Sequence, residues 1–194
     1  MHLASQFYNE NADTLVARYE SVNFRDLYPY LNEVLSKQGL RILEVGAGSG
    51  RDAGYMASLG HNIVAIEPAP KMLAFAKERH GSTRISWISV PFPQVDLTGL
   101  YFDLVLLHAV WFHISPGQRM FAMEKVAHCL ASKGKAYISL RHGIPDPQRH
   151  MHEASEEELM RLSQFAGLQC RKLDEYQDAL QRQDVHWSVY ELWR

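Results

Sequence analysis

Residues 41–53, RILEVGAGSGRDA, carry a strand that breaks at glycines and restarts as a helix. Residues 41–45 have the leucine and β-branched content of a buried central strand, with Glu44 one residue before its end. Gly46, Gly48 and Gly50 follow at alternate positions, where missing side chains permit positive φ and let a ligand touch bare backbone. Ala47 lies inside the same turn. Arg51 and Asp52 open the next helix, whose unpaired N–H groups face the same space and favour an electron-rich guest.

Two ligand classes compete for such a turn. Nicotinamide and flavin dinucleotides use G-x-G-x-x-G or G-x-G-x-x-A, a spacing that Gly48, Gly50 and Ala53 also satisfy. S-adenosylmethionine (SAM) is the other. Its amino acid end needs an anion for the ammonium and donors for the carboxylate, and Glu44 with the turn amides supplies both. A pyrophosphate would be repelled by that acid. The pattern E-x-G-x-G-x-G at a strand end resembles motif I of the class I SAM-dependent methyltransferases.

The remaining chain is consistent with that resemblance. Residues 61–66 read as a second strand ending at Glu67, about 20 residues past the glycines, where a carboxylate can accept both ribose hydroxyls. By the resemblance, Pro68 and Met72 belong to the run that packs on adenine. A third strand, 84–89, leads into Val90 and Pro91. The family usually has an aspartate where this chain has Ser89, so adenine recognition would rest on the Ser89 hydroxyl and the backbone of Val90. Residues 101–108 form a strong fourth strand. Open α/β sheets place ligands beyond the carboxyl ends of their strands. The resemblance implies cofactor contacts there from His108, Ala109 and Phe112, with Trp111 and His113 near the methyl acceptor.

Residues 3–36 carry apolar and aromatic positions at helical spacing, with Pro29 expected to kink or restart the second helix. The plain expectation is a helix pair covering the sheet. The family resemblance adds a lid over the cofactor, in which Tyr8 faces substrate and Tyr19 the cofactor. An amphipathic helix is expected over 116–131 and a fifth strand over 135–140. The polar run 141–154, RHGIPDPQRHMHEA, follows, and Arg141, His142 and Arg149 are candidates for selecting a polar or anionic acceptor. His113 and His142 are the candidate bases. His150 and His152 form an HxH pair without a third ligand at recognisable spacing, and no metal is expected. Ser155 and Glu158 suggest a capping box, followed by strands over 168–176 and 185–193.

These elements imply an α/β fold: a Rossmann-like seven-stranded mixed sheet with helices on both faces, an antiparallel last strand and an N-terminal helical lid. A single domain over 1–194 is expected, with the lid at 1–37 and the core at 38–194. At 194 residues and a net charge of −2, the chain offers no electrostatic footprint for nucleic acid. No stretch has the length of a membrane span, and two distant cysteines fit a reduced, cytoplasmic setting. The activity implied is methyl transfer from SAM to a small-molecule acceptor, leaving S-adenosylhomocysteine, by a monomer or homodimer. An NAD-dependent oxidoreductase and a non-catalytic SAM-binding module are the alternatives.

Overall fold

A computed structural model describes residues 3–194. Seven strands form one mixed sheet in the order β3-β2-β1-β4-β5-β7-β6. The last strand is antiparallel to both of its neighbours. That reversed hairpin at the C-terminus is the layout expected from two adjacent strands without an intervening helix. The described residues fall into two compact units, the first ending at Pro91 and the second starting at Phe92.

In the first unit, β1 (Arg41–Val45) pairs parallel with β2 (Asn62–Ile66), which pairs parallel with β3 (Ile85–Ile88). All but the first residue of β1 are buried, as its near-continuous apolar run requires. Helix α4 (Arg51–Ser58) follows the glycine turn, and α5 (Pro70–Arg79) follows Glu67. The N-terminal segment begins with α1 (Leu3–Glu10) and α2 (Ala12–Glu20). Residues 1 and 2 of the expected lid lie outside the described residues.

Ala12, Leu15 and Val16 share one face of α2 and pack on Ala69 and Met72, with Phe7, Tyr8, Tyr19 and Phe75 around them. Two polar contacts fix this segment. The Asn9 side chain accepts from the Lys71 amide at 3.0 Å, satisfying a free N–H at the start of α5. Arg51 donates to the Tyr19 carbonyl at 2.8 Å. The second expected helix is instead a short α3 (Phe24–Leu27) followed by 3-10 turns at Pro29–Leu31 and Val34–Ser36. Pro29, which cannot donate within a helix, restarts the chain as the first residue of a 3-10 turn.

In the second unit, β4 (Phe102–Leu107) is parallel to β5 (Leu130–His142). Between them lie a 3-10 turn (Trp111–His113) and α6 (Pro116–Cys129). Here the expected boundaries need correction: α6 ends at Cys129 and β5 already begins at Leu130. The ladder pairs Phe102 with Leu130 and then Leu104 with Lys135, so a bulge absorbs the intervening residues. Gly134 makes this possible, since a Cβ there would sit 2.6 Å from the Phe102 carbonyl oxygen. Helix α7 (Glu156–Phe165), β6 (Gln169–Gln177) and β7 (His186–Trp193) complete the unit.

Gly50 marks the tightest helix–sheet approach near the turn. A Cβ on it would lie 2.8 Å from the Ala76 Cβ and 2.9 Å from the Trp87 ring, at a φ of +82°. Gly50→Ala is therefore expected to destabilise the protein by about 2–4 kcal/mol, from steric overlap and the positive φ together. Urea unfolding of the two proteins measures the difference.

Candidate functional site

The glycine turn joins β1 to α4 with Gly46, Gly48 and Gly50 at φ of 73°, 57° and 82°. Its amides are not all free, which modifies the sequence expectation that they grip a ligand carboxylate. Gly46 and Ala47 donate to the Ile66 carbonyl at 2.8 and 2.9 Å, and Gly50 donates to the Ala47 carbonyl at 2.9 Å. Gly48 donates to Glu67 at 2.8 Å. The amides left for a ligand are those opening α4, which no helical carbonyl reaches. The glycines contribute the shape of the turn and its close approach. The Tyr19 ring lies 3.6 Å from where a Cβ on Gly48 would stand.

Two buried carboxylates flank this turn. Glu67 accepts from the Gly48 amide and, through its other oxygen, from the Ala69 amide at 2.7 Å. Burial nonetheless pushes it up to about 7, against the pull of those two amides. Each oxygen keeps a lone pair for a ribose hydroxyl. Glu44 is in a different position. It is 5% exposed, and its Oε2 has no hydrogen-bond partner among the described residues. Burial, reinforced by Asp52, holds its pKa well above the carboxylate range, while Arg51 pulls the other way. Arg51 is itself committed to Asp52 at 2.6 Å and to the Tyr19 carbonyl. A ligand bringing positive charge and N–H donors would satisfy the orphaned oxygen and stabilise the ionised form, so these residues fit an ammonium group.

Other cofactor candidates in this unit are dispersed around the turn. Pro68 is half-buried beside Glu67, while Ser89 and Val90 are exposed and Pro91 half-buried just beyond β3. Met72 is fully buried under α2, and its terminal methyl lies 3.9 Å from where a Cβ on Gly48 would stand. Tyr8 is half-buried in the same cluster.

In the second unit, a cleft of about 570 Å³ is lined by Phe112, Arg119, Arg141, His142, Met151 and Glu158, among others. Its walls come from the carboxyl end of β5, the segment after β4 and the loop before α7. Two sequence candidates, Arg141 and His142, line it together. Phe112, expected on the cofactor side, forms its apolar wall and packs on Val185 and Trp187. Trp111 is not among the lining residues: it is fully buried, and its indole N–H has no hydrogen-bond partner among the described residues. His113 stacks at a tilt on Phe112 and is not among the lining residues. Arg149 is also absent from the lining and pairs with Asp146 at 3.3 Å. His108 is half-buried at the end of β4. Ala109 follows in the left-handed region at φ 56°, its amide held by the Ser139 hydroxyl at 2.7 Å.

His142 belongs to a directional chain. Its Nε2 lies 2.6 Å from the Ser188 hydroxyl, which donates to the Tyr190 hydroxyl at 3.1 Å. Tyr190 in turn hydrogen-bonds Glu156, and burial lifts the phenol to about 12. With the serine proton directed at Tyr190, Nε2 of His142 is the donor and Nδ1 carries the lone pair. Burial and the stacked His186, 4.5 Å away, lower the pKa of His142 and favour the neutral ring.

Sequence reasoning missed Arg119, which is 2% exposed and fully engaged by the Ile114 carbonyl, the Glu153 carbonyl and Glu158. Its place was visible, since Arg119 precedes the buried Met123 and Val126 at i+4 and i+7 on the apolar stripe of α6. Glu158 therefore does not complete the expected capping box. Ser155 accepts from the Glu158 amide at 3.1 Å, but the Glu158 carboxylate serves Arg119. Ser188 and Tyr190 carried no sequence signal.

A seven-stranded sheet with this order and reversal, carrying a glycine turn after its first strand, defines the class I methyltransferase fold. Residues 42–134 match the family model of a methyltransferase domain. An uncharacterised methyltransferase of Staphylococcus carnosus is 28% identical over 129 residues, covering 61% of this chain and 58% of that protein. The chain thus spans a little over half the length of that relative. A TehB-like SAM-dependent methyltransferase from Corynebacterium glutamicum superposes with a TM-score of 0.67 at 18% identity, over 93% of this chain and 97% of the other. The magnesium protoporphyrin IX methyltransferase of Synechocystis, solved with bound SAM, gives 0.66 at 14% identity over 97% and 80%. The chain thus has the class I methyltransferase fold, and its residues 42–134 match a methyltransferase domain.

Raised carboxylates make stability depend on pH. Between the unfolded value near 4.5 and about 7, folded Glu67 holds a proton that the unfolded chain has lost, so stability falls as pH rises through that window. Glu44 adds in the same direction. Ligand-free protein is expected to lose on the order of 2–3 kcal/mol between pH 5 and pH 8 through this linkage. Glu44→Gln should shrink the loss and raise the melting temperature at pH 8, as followed by thermal denaturation without ligand.

Proposed function

We propose that this protein transfers a methyl group from SAM to a small-molecule acceptor. The observation that carries the reading is Glu44, a buried carboxyl beside a glycine turn with one oxygen that has no hydrogen-bond partner among the described residues. A dinucleotide's pyrophosphate would add negative charge to a site that already holds Glu44, Glu67 and Asp52 in mutual opposition. The ammonium of SAM supplies what that site lacks. Glu67 serves the ribose hydroxyls and Tyr19 covers the turn near the methionine end. Exposed Ser89 and Val90 border the adenine.

SAM, when bound, supplies a methyl group already activated by a sulfonium. The protein's own part is then to hold the acceptor in line and dry. A cleft near 570 Å³ falls in the size range of small-molecule sites, roughly 300–1,000 Å³. His142 serves as the base for a hydroxyl or ammonium acceptor. It lines the cleft, favours the neutral ring and presents Nδ1 because Ser188 holds Nε2. His113, outside the lining, is the weaker candidate.

Calorimetry with SAM, S-adenosylhomocysteine and NAD tests the cofactor. SAM and its product are expected to bind and NAD to leave no signal; the reverse pattern would replace this reading with an oxidoreductase. Glu44→Gln should weaken SAM at least about 30-fold, the scale for removing one partner of a buried charge pair. SAM affinity should also fall as pH drops through the Glu44 titration, with proton release seen in buffers of different ionisation enthalpy. On an acceptor found by labelled methyl transfer into metabolite extracts, His142→Gln should lower kcat while leaving SAM affinity unchanged.

A further inference from the structure

We propose that the cleft of the second unit binds its acceptor through an oxyanion group, a carboxylate or a phosphate, held by the side-on edge of Arg141. The inference rests on the methyltransferase reading only in calling the occupant an acceptor. The anion site itself stands on geometry.

Arg141 lines the cleft beside His142. Its Nη1 donates to the carbonyls of Gly143 at 3.2 Å and Ile144 at 2.9 Å. Those bonds aim one end of the guanidinium at its own loop and leave the edge formed by Nε and Nη2. Nε is buried and has no hydrogen-bond partner among the described residues. That edge presents two parallel N–H groups, the spacing at which arginine takes two oxygens of one oxyanion.

Charge around the site has the same polarity. Arg149 and Arg182 lie near enough to oppose the charge on Arg141, and Asp146 and Asp178 to favour it. Both carboxylates are already occupied. Asp178 takes two bonds from the Arg182 guanidinium, at 2.9 and 2.6 Å, and one from the Trp187 indole at 2.9 Å. Asp146 accepts from the Gln148 amide at 3.0 Å and pairs with Arg149. Three guanidiniums and two carboxylates leave one positive charge, and the hydrogen bonds of Arg141 among the described residues go only to backbone carbonyls. Among the other charged groups lining the cleft, Glu158 is paired with Arg119, and Glu153 and Arg161 add one charge of each sign. An arginine left in this condition favours an anionic visitor.

The test is binding of simple probes to the whole protein by ligand-observed NMR, without SAM. Benzoate and phenyl phosphate carry the two oxyanions, and neutral benzamide keeps the shape of benzoate. At least one anion should bind about 10- to 100-fold tighter than benzamide, the range for charge-assisted hydrogen bonds. Whichever anion binds tighter identifies the group. Arg141→Gln should remove the preference, Arg141→Lys should retain part of it, and Arg161→Gln at the exposed rim should keep it. Equal binding of benzamide and both anions, or no binding of either anion, overturns the proposal, as does an Arg141→Gln protein that keeps the preference. Should Arg141→Gln fail to fold, the wild-type comparison and Arg141→Lys decide. Anion preference without SAM binding would sink the methyltransferase reading alone, and SAM binding without anion preference would sink this one alone.

Discussion

Two carboxylates placed out of water at the ends of adjacent parallel strands are the constraint around which the first half of the molecule is built. Glu44 closes β1 and Glu67 follows β2, and burying either costs free energy that must be recovered locally. Glu67 recovers part of it from the Gly48 and Ala69 amides. In doing so it ties the glycine turn to the N-terminus of α5. The N-terminal helices then shut the same region from solvent, held by Asn9 on the α5 backbone and by Arg51 on the Tyr19 carbonyl. Glu44 gains less, because the nearest cation, Arg51, is shared with Asp52. The fold thus keeps one acid oxygen unsatisfied among the described residues beside the glycine turn, a local conflict typical of functional sites.

How much of this could be read in advance depended on whether the signal was local. The strand-turn-helix at 41–53 was legible because glycine spacing and β-branched content report backbone geometry directly, and all three glycines indeed take positive φ. The reversed C-terminal hairpin was legible from topology, since two strands without a helix between them pair antiparallel. The roles of Met72 and Trp111 were not legible, because a large apolar side chain near a strand end looks the same in sequence whether it meets a ligand or the core. Both are fully buried, Met72 packed against α2 and Trp111 as the first residue of its 3-10 turn. The start of β5 was hidden for a different reason. Its bulge depends on a Gly134–Phe102 approach between residues far apart in sequence, which no window of local periodicity contains.

Polar residues on apolar stripes follow the same division. Arg119 has a periodicity that marks it as buried, but its three partners come from the preceding loop, from the segment leading into α7 and from the first turn of α7 itself. Glu158 was assigned to a cap because its neighbour in sequence, Ser155, is a good one. It is used instead by an arginine 39 positions away. A buried guanidinium left without its carboxylate would cost more than a half-made capping box, so the long-range pair prevails.

The two halves therefore leave unsatisfied groups of opposite sign. Most buried charges here are fully met: Arg119 by three acceptors, Asp178 by Arg182 and Trp187, and Glu191 by Lys135, Tyr137 and Arg171. Against that background an unpartnered Glu44 oxygen and an unpartnered Arg141 nitrogen stand out, since the same sequence satisfies equally demanding groups elsewhere. Satisfying them internally would have needed only a donor near one and an acceptor near the other. Glu44 is an acid that a nearby cation would ionise, and Arg141 is a cation with a donor to spare. Because the two groups differ in sign, the first calls for a hydrogen-bond donor and the second for an acceptor, and one charged group cannot serve both.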